Sequence, residues 1–306
     1  MRDVVIIGAG PGGLTTALYA SRAGRSTLVI EKEVPGGLVA TTDEIENWPG
    51  ILRISGAELA ENFRQHAEAF GAEIVMDQIE TLDVSATPKR AVGMSETYEG
   101  KALVIASGSA PQQLGVPGEA EFRGRGVSYC ATCDGAFFRD SDIVCVGGGD
   151  AAVQEALYLT RFARKVYLVH RRDELRAVDV LQRRVAASDQ IETVWNSVVE
   201  SIEGEQMVTG VNLRNVKTDT QSFLPVQGVF VYVGLKPATQ FVEGQVSLDA
   251  HGYIITDDQM ATDAPGVFAV GDVRPRIQRQ IATAAGDGAT AGMAIEHYLD
   301  GLEIQD

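Results

Sequence analysis

Val4-Val5-Ile6-Ile7-Gly8-Ala9-Gly10-Pro11-Gly12-Gly13 is a short apolar run that ends in a G-x-G-x-x-G turn. Leu14–Ala23 then reads as a helix, and Ser26–Ile30 as a second buried strand closed by Glu31. The glycines let the backbone approach a pyrophosphate at a helix N-terminus. Glu31 stands 23 residues after Gly8, where a carboxylate accepts hydrogen bonds from ribose hydroxyls. A lone glycine fingerprint is weak, but this one has its strand, turn, helix, strand and acid in order. The stretch predicts an α/β fold with a parallel sheet and a nucleotide at its edge.

The same pattern returns without a gap at an offset of 139 residues. Ile143–Val146, Gly147-Gly148-Gly149-Asp150-Ala151-Ala152, a helix from Val153 to about Phe162 and Val166–Val169 repeat Val4–Ile30. Two copies of one nucleotide-binding unit are implied. The copies differ where the second strand ends. Glu31 is matched by His170, followed by Arg171, Arg172 and Arg176, and eight of the 26 Lys and Arg residues lie between Arg161 and Arg184. Arginines in place of the acid suit a ribose 2′-phosphate, because the planar fork matches phosphate oxygens and a repulsion is gone. The second copy is therefore expected to take NADPH, and the first a nucleotide with a free ribose, such as FAD.

The intervening segments are less regular. Gly36–Gly50 is polar, glycine-bounded and too irregular for an element, followed by an amphipathic helix over Ala57–Phe70 and a strand at Glu73–Met76. Lys101–Ala106 is a buried strand, and the segment from Ser107 to Gly118 reads as a linker at a domain boundary. Val229–Val233 is another strand, and Gly234-Leu235-Lys236-Pro237 a second junction. Gly266–Val270 is a strand followed by Gly271 and Asp272, with the acid at the edge where α/β sheets bind ligands. An Ala/Gly-rich helix then runs from Arg279-Gln280-Ile281 to about Leu299.

Composition narrows the class. A chain of 306 residues has room for about two domains. A net charge of −16 argues against a nucleic-acid surface. No apolar run approaches the ~18 residues of a membrane span, and no secretory leader is read before Val4. With only three cysteines, the chain is expected in a reducing cytoplasm.

Two of those cysteines form Cys130-Ala131-Thr132-Cys133-Asp134-Gly135. C-x-x-C spacing can close a small disulfide ring, and the carboxylate that follows can move protons for it. Structural zinc generally needs four ligands, and the remaining cysteine, Cys145, sits in an apolar strand pattern. Redox chemistry is the leading reading.

Taken together, Gly8–Gly13, Gly36–Gly50, Cys130–Gly135, Gly147–Ala152, His170–Arg176, Gly271–Asp272 and Arg279–Ile281 resemble the low-molecular-weight thioredoxin reductases over nearly the whole chain. The resemblance implies two Rossmann-like domains, an NADPH domain near 113–241 inserted into an FAD domain formed by 1–112 and 242–306. It implies a homodimer and the reduction of thioredoxin or a thioredoxin-like protein. It assigns Gly8, Gly10, Pro11, Gly12, Gly13, Glu31, Gly36, Gly37, Leu38, Asn47, Gly271, Asp272, Arg279, Gln280 and Ile281 to FAD. Gly147, Gly148, Gly149, Asp150, Ala151, His170, Arg171, Arg172 and Arg176 fall to NADPH. Cys133 is implied to lie on the flavin side and Cys130 to attack the partner's disulfide, with Asp134 shuttling the proton. A rotation about the two junctions is implied to alternate these tasks, and Arg125, Phe137 and Phe138 match positions that dock thioredoxin. Leu38, Ala136 and Ala151 depart from the usual family residues.

Rival readings fit less well. Thioredoxin-reductase-like ferredoxin–NADP⁺ reductases lack the C-x-x-C. The flavoprotein of alkyl hydroperoxide reductase carries an extra N-terminal region, for which the residues before Val4 leave no room. The glutathione-reductase class places its cysteine pair in the first domain and adds a dimerisation domain. A related disulfide reductase serving another partner, or a non-catalytic flavin redox sensor, completes the set.

Overall fold

The structure is a computed structural model that describes residues 1–276 and 278–304. The chain opens with β1 (Arg2–Ile7), α1 (Pro11–Arg22), β2 (Thr27–Glu31), α2 (Gly56–Ala69), β3 (Glu73–Met76), β4 (Ile79–Asp83), β5 (Lys89–Gly93), β6 (Thr97–Ile105) and β7 (Ser109–Pro111). It continues with β8 (Val127–Ser128), α3 (Ala131–Asp134), β9 (Asp142–Gly147), α4 (Asp150–Leu159), β10 (Lys165–Val169), α5 (Asp179–Ala186) and β11 (Ile191–Val194). Next come β12 (Ser197–Gly204), β13 (Val208–Asn215), β14 (Gln221–Pro225), β15 (Gly228–Tyr232) and β16 (Leu235–Pro237). β17 (Val267–Ala269) and α6 (Ile281–Glu303) close the described chain. These elements fall into two compact units, residues 1–110 with 236–306 and residues 111–235.

The first, discontinuous unit holds a sheet in the order β3-β2-β1-β6-β5-β4, with β17 also paired to β6. β3, β2, β1, β6 and β17 are parallel, while β5 and β4 extend the sheet antiparallel. β1 is an apolar run because both of its faces are covered. Val4 and Ile6 pack with Leu14 of α1 and Ile295 of α6, whereas Val5 and Ile7 pack with Leu103, Ile105 and Val267. The two helices approach closely through glycines of α6. A methyl on Gly288 would overlap the Gly12 carbonyl oxygen, and one on Gly292 would press on Tyr19, while Gly286 faces open space.

The second unit repeats this plan with a parallel sheet in the order β11-β10-β9-β15-β8. Ile143 and Cys145 of β9 pack with Ala152 and Ala156 of α4. Val144 and Val146 pack instead with Val199, Val211 and Leu213 of the antiparallel sheet β12-β13-β14. The internal repeat survives as strand register. Val4 pairs with Thr27 and Ile7 with Ile30, just as Ile143 pairs with Val166 and Val146 with Val169.

Several sequence expectations are corrected. α1 starts at Pro11 rather than Leu14, and α4 at Asp150 rather than Val153, because the last residues of each glycine turn form the first helical turn. Gly36–Gly50 contains a short 3₁₀ helix, Gly37–Thr41. The stretch before Gly118 is no loose linker. The buried Glu119 carboxylate accepts the N–H groups of Leu114 and Gly115 at 2.8 and 2.7 Å, which pins that loop in the second unit. The two compact units divide at 110/111 and 235/236, inside the stretches Ser107–Gly118 and Gly234–Pro237.

Candidate functional site

In the first unit the glycine turn is built to leave backbone exposed. Gly8 adopts φ +107°, and a methyl there would overlap the Ala106 carbonyl, while one on Gly13 would overlap the Gly8 oxygen. Gly10, the N-cap of α1, has nothing within 4 Å of the position of a Cβ, and no side chain caps the helix. The first turn therefore keeps its amide donors and partial positive charge for an anion. Glu31 is buried, and its carboxylate accepts from Ala9 N at 2.7 Å and from Lys32 N and Glu33 N at 2.9 and 3.0 Å. Those bonds fix its orientation and leave lone pairs for hydroxyl donors.

The other residues matched to FAD gather in linked pairs. Gly36 N donates to Ala9 O at 2.7 Å, and Gly37 lies against Gly10, so the Gly36–Leu38 turn sits on the glycine loop. Asn47 donates to Gln280 at 2.9 Å, and Gln280 N to Thr283 at the start of α6, just before Ile281. Arg279 hydrogen-bonds the Tyr253 hydroxyl and stacks over its ring, while its buried Nε has no partner. Asp272 accepts from Ser109 at 3.4 Å, and its carboxyl is raised by burial against the opposing pull of Arg279 and Arg276. These residues fit FAD on two counts, the open uncapped glycine turn and the orphaned Arg279 nitrogen.

Sequence reasoning missed the support beneath this loop. The Asp287 carboxylate on α6 accepts from Gly271 N at 3.0 Å and pairs with Arg274 and Arg276, all three side chains being largely buried. No motif announces it. Only the fold brings Asp287 under the loop that follows β17.

In the second unit the N-cap of α4 is Gly149, again without a side-chain cap, and Asp150 accepts from Val178 N at 2.8 Å. Gly147 adopts φ +153°, and a methyl there would meet the Tyr232 carbonyl oxygen. Gly148 must be glycine because the His170 ring lies on it. His170 is only 5 % exposed, yet its Nε2 has no partner. Burial lowers its pKa first, then Arg176, Arg172 and Arg171 do so by repulsion, against a backbone hydrogen bond with Glu174. Arg176 N donates to Gly148 O at 2.7 Å, which places that arginine beside the glycine loop, next to the exposed Ala151. Arg171, Arg172 and Arg176 are exposed and have no carboxylate partner among the described residues. Three uncompensated guanidiniums and an orphaned imidazole nitrogen fit a dinucleotide with a 2′-phosphate.

Cys130 and Cys133 are bonded to each other, with Cα atoms 5.4 Å apart. Cys130 is the N-cap of the one-turn α3, and Cys133 N donates to its sulfur at 3.2 Å. An amide aimed at this sulfur supports a thiolate there once the bond is opened. Cys133 is the more exposed cysteine. Asp134 accepts from Ser128 Oγ at 2.6 Å, and Tyr232 accepts from Ala131 N at 2.8 Å. Burial keeps the Tyr232 hydroxyl protonated, helped by the negative charges of Glu155 and Asp134 and by Cys145. Neither Ser128 nor Tyr232 was singled out in the sequence; in the structure they end β8 and β15. The position of Tyr232 at the C-terminal end of a parallel strand was the available signal.

Of the residues matched to partner docking, Phe137 is 82 % exposed and Arg125 is exposed over the Phe122 ring. Phe138 is a correction. It is 7 % exposed and packs edge-on against Phe230 at 5.2 Å, so its ring lies in the core of the second unit rather than on the surface expected of it.

Residues 2–288 match the family described as Pyridine nucleotide-disulphide oxidoreductase. The chain is 47 % identical over 302 residues to the thioredoxin reductase of Listeria monocytogenes, covering 98 % of this chain and 95 % of that one. It is 45 % identical over 302 residues to that of Bacillus subtilis, covering 98 % and 96 %. The crystal structure of Lactococcus lactis thioredoxin reductase superposes with a TM-score of 0.96 at 43 % identity, covering 98 % of this chain and all of that one.

Proposed function

Because the chain belongs to the pyridine nucleotide-disulphide oxidoreductase family, and within it to the low-molecular-weight thioredoxin reductases, we propose that it uses NADPH to reduce the disulfide of thioredoxin or a thioredoxin-like protein. FAD and NADPH are the cofactors of the family, and when bound they supply two-electron hydride chemistry. FAD is held by the Gly8–Gly13 turn, Glu31, Gly36–Leu38, Asn47, Gly271–Asp272 and Arg279–Ile281. NADPH is held by Gly147–Ala151, His170, Arg171, Arg172 and Arg176.

The observation that carries the reading is the closed Cys130–Cys133 bridge at the N-cap of α3, followed at once by Asp134. Opened to two thiols, the pair does ordinary thiol–disulfide exchange. The Cys130 thiolate attacks one sulfur of the partner's disulfide, forming a mixed disulfide and releasing the partner's second thiolate. The Cys133 thiolate then attacks the Cys130 sulfur, which restores the ring and releases the partner's first thiolate. One disulfide is reduced and one is formed, and Asp134 takes the proton from a thiol and returns it to a departing thiolate.

Exposure alone would choose Cys133 for the partner, whereas the N-cap amide favours the thiolate on Cys130. We assign the attack to Cys130 on that electrostatic ground. Cys130→Ser is expected to lower thioredoxin turnover by roughly a thousandfold or more while NADPH still bleaches the flavin. Unchanged turnover would remove Cys130 from the mechanism.

A homodimer in the cytoplasm completes the proposal. No helix among the described residues is long and apolar enough to cross a membrane. Sedimentation at the 32.7 kDa of one chain, rather than twice that, would contradict the dimer.

A further inference from the structure

Asp134 can exchange a proton with sulfur only if its carboxylate is held at a fixed angle to the cysteine ring. α3 is a single turn and cannot hold it alone. The brace comes from β8, the edge strand beside β15. Ser128 is 5 % exposed, and its hydroxyl stands between the two ends of the redox turn. It accepts the Cys130 N–H at 3.0 Å and donates to Asp134 Oδ2 at 2.6 Å. The Cys130 carbonyl lies at 3.2 Å and competes weakly for the single hydroxyl proton.

We propose that Ser128 is a positioning residue of the disulfide-exchange reaction: one hydroxyl ties the residue that carries the nucleophilic sulfur to the carboxylate that moves its proton. The inference rests on the role given above to Asp134. By occupying Oδ2, Ser128 fixes the carboxylate rotamer and leaves Oδ1, which has no protein partner among the described residues, to face the proton it transfers. By accepting the Cys130 amide, it keeps that residue in the extended N-cap conformation (φ −141°, ψ 103°) from which its sulfur receives the Cys133 N–H. A hydroxyl is required because the two contacts have opposite polarity, one donated and one accepted. Ser128 touches neither partner nor cofactor in this role, so its loss slows the proton step without weakening partner binding.

The test uses the full-length holoenzyme, a bacterial thioredoxin as substrate, and Ser128→Ala, Ser128→Thr and Asp134→Asn. Asp134→Asn is expected to lower kcat about a hundredfold, a general acid–base contribution of ordinary size. Ser128→Ala is expected to lower kcat about tenfold with KM for thioredoxin within twofold of wild type, and Ser128→Thr to recover most of the loss. Wild-type kcat in Ser128→Ala, beside an impaired Asp134→Asn, overturns the inference alone. A loss in Ser128→Ala that Ser128→Thr does not recover also overturns it, because the effect is then packing. Wild-type kcat in Asp134→Asn overturns both the inference and the role of Asp134 beneath it.

Discussion

His170 shows what a single substitution between the two copies achieves. Where the first unit keeps the carboxylate Glu31, the second buries an imidazole against Gly148. Its pKa is lowered chiefly by burial and then by Arg176, Arg172 and Arg171, so it is neutral at pH 7 and leaves the positive charge to the arginines. The sign follows directly. As pH falls below ~6.5 the unfolded chain takes up a proton that the folded site resists, so this residue's contribution to stability is complete above ~6.5 and shrinks as pH falls. A bound 2′-phosphate dianion reverses the local field. NMR titration with 2′,5′-ADP is therefore expected to raise the His170 pKa. Replacing Arg171 and Arg172 together is expected to abolish that response and to raise KM for NADPH about a hundredfold, from roughly 3 kcal/mol of lost charge-assisted hydrogen bonds. KM for NADH, which lacks the phosphate, should change little. An equal rise for both coenzymes would show that these arginines do not hold the phosphate. The exchange of Glu31 for His170 was legible because the repeat fixes a residue-by-residue register. The ring's contact with Gly148 was not, since it depends on how β10 and the α4 glycine turn meet.

At the scale of elements, the sequence shows its local rules and hides its long-range ones. Strands buried on both faces appear as unbroken apolar runs, so β1, β2, β9 and β10 were visible, and their pairing register repeats as the sequence does. The antiparallel sheet β12-β13-β14 was not seen, because its outer strand β14 is largely exposed and lacks that signal. The Phe137-Phe138 pair marks the limit most clearly. Two identical side chains in one 3₁₀ turn, Gly135–Phe138, point to opposite environments, and no local pattern separates them. Only the contact with Phe230 and the close approach of Gly228 settle it. Phe138→Ala is expected to destabilise the chain by about 3–5 kcal/mol, and Phe137→Ala by no more than about 0.5 kcal/mol. Phe137→Ala should instead raise KM for thioredoxin. Chemical denaturation of both variants checks the contrast, and equal losses would contradict the burial argument.

At the scale of the whole molecule, one nucleotide-binding unit interrupts the other, and the chain passes between them at 110/111 and 235/236. The double occurrence of the glycine turn made two units legible. What composition did not show is that the stretch from Ser107 to Gly118 is anchored through Leu114 N and Gly115 N by the buried Glu119. The acidic balance of the chain and its arginine cluster also take on meaning only at this scale. Within that cluster Arg164, Lys165 and Arg183 pair with Asp142, Glu192 and Asp179, whereas Arg171, Arg172 and Arg176 are exposed beside His170. Everything in the proposed function converges on the cysteine pair, and on which sulfur meets the partner. Trapping decides this directly, using a thioredoxin whose resolving cysteine is replaced by serine and whose remaining cysteine is activated as a mixed disulfide. Cys133→Ser, which keeps Cys130, is expected to form a covalent adduct of one chain with one thioredoxin, seen by intact mass. Cys130→Ser is expected to form almost none. An adduct from Cys130→Ser but not from Cys133→Ser would contradict the assignment of Cys130 as the attacking thiol.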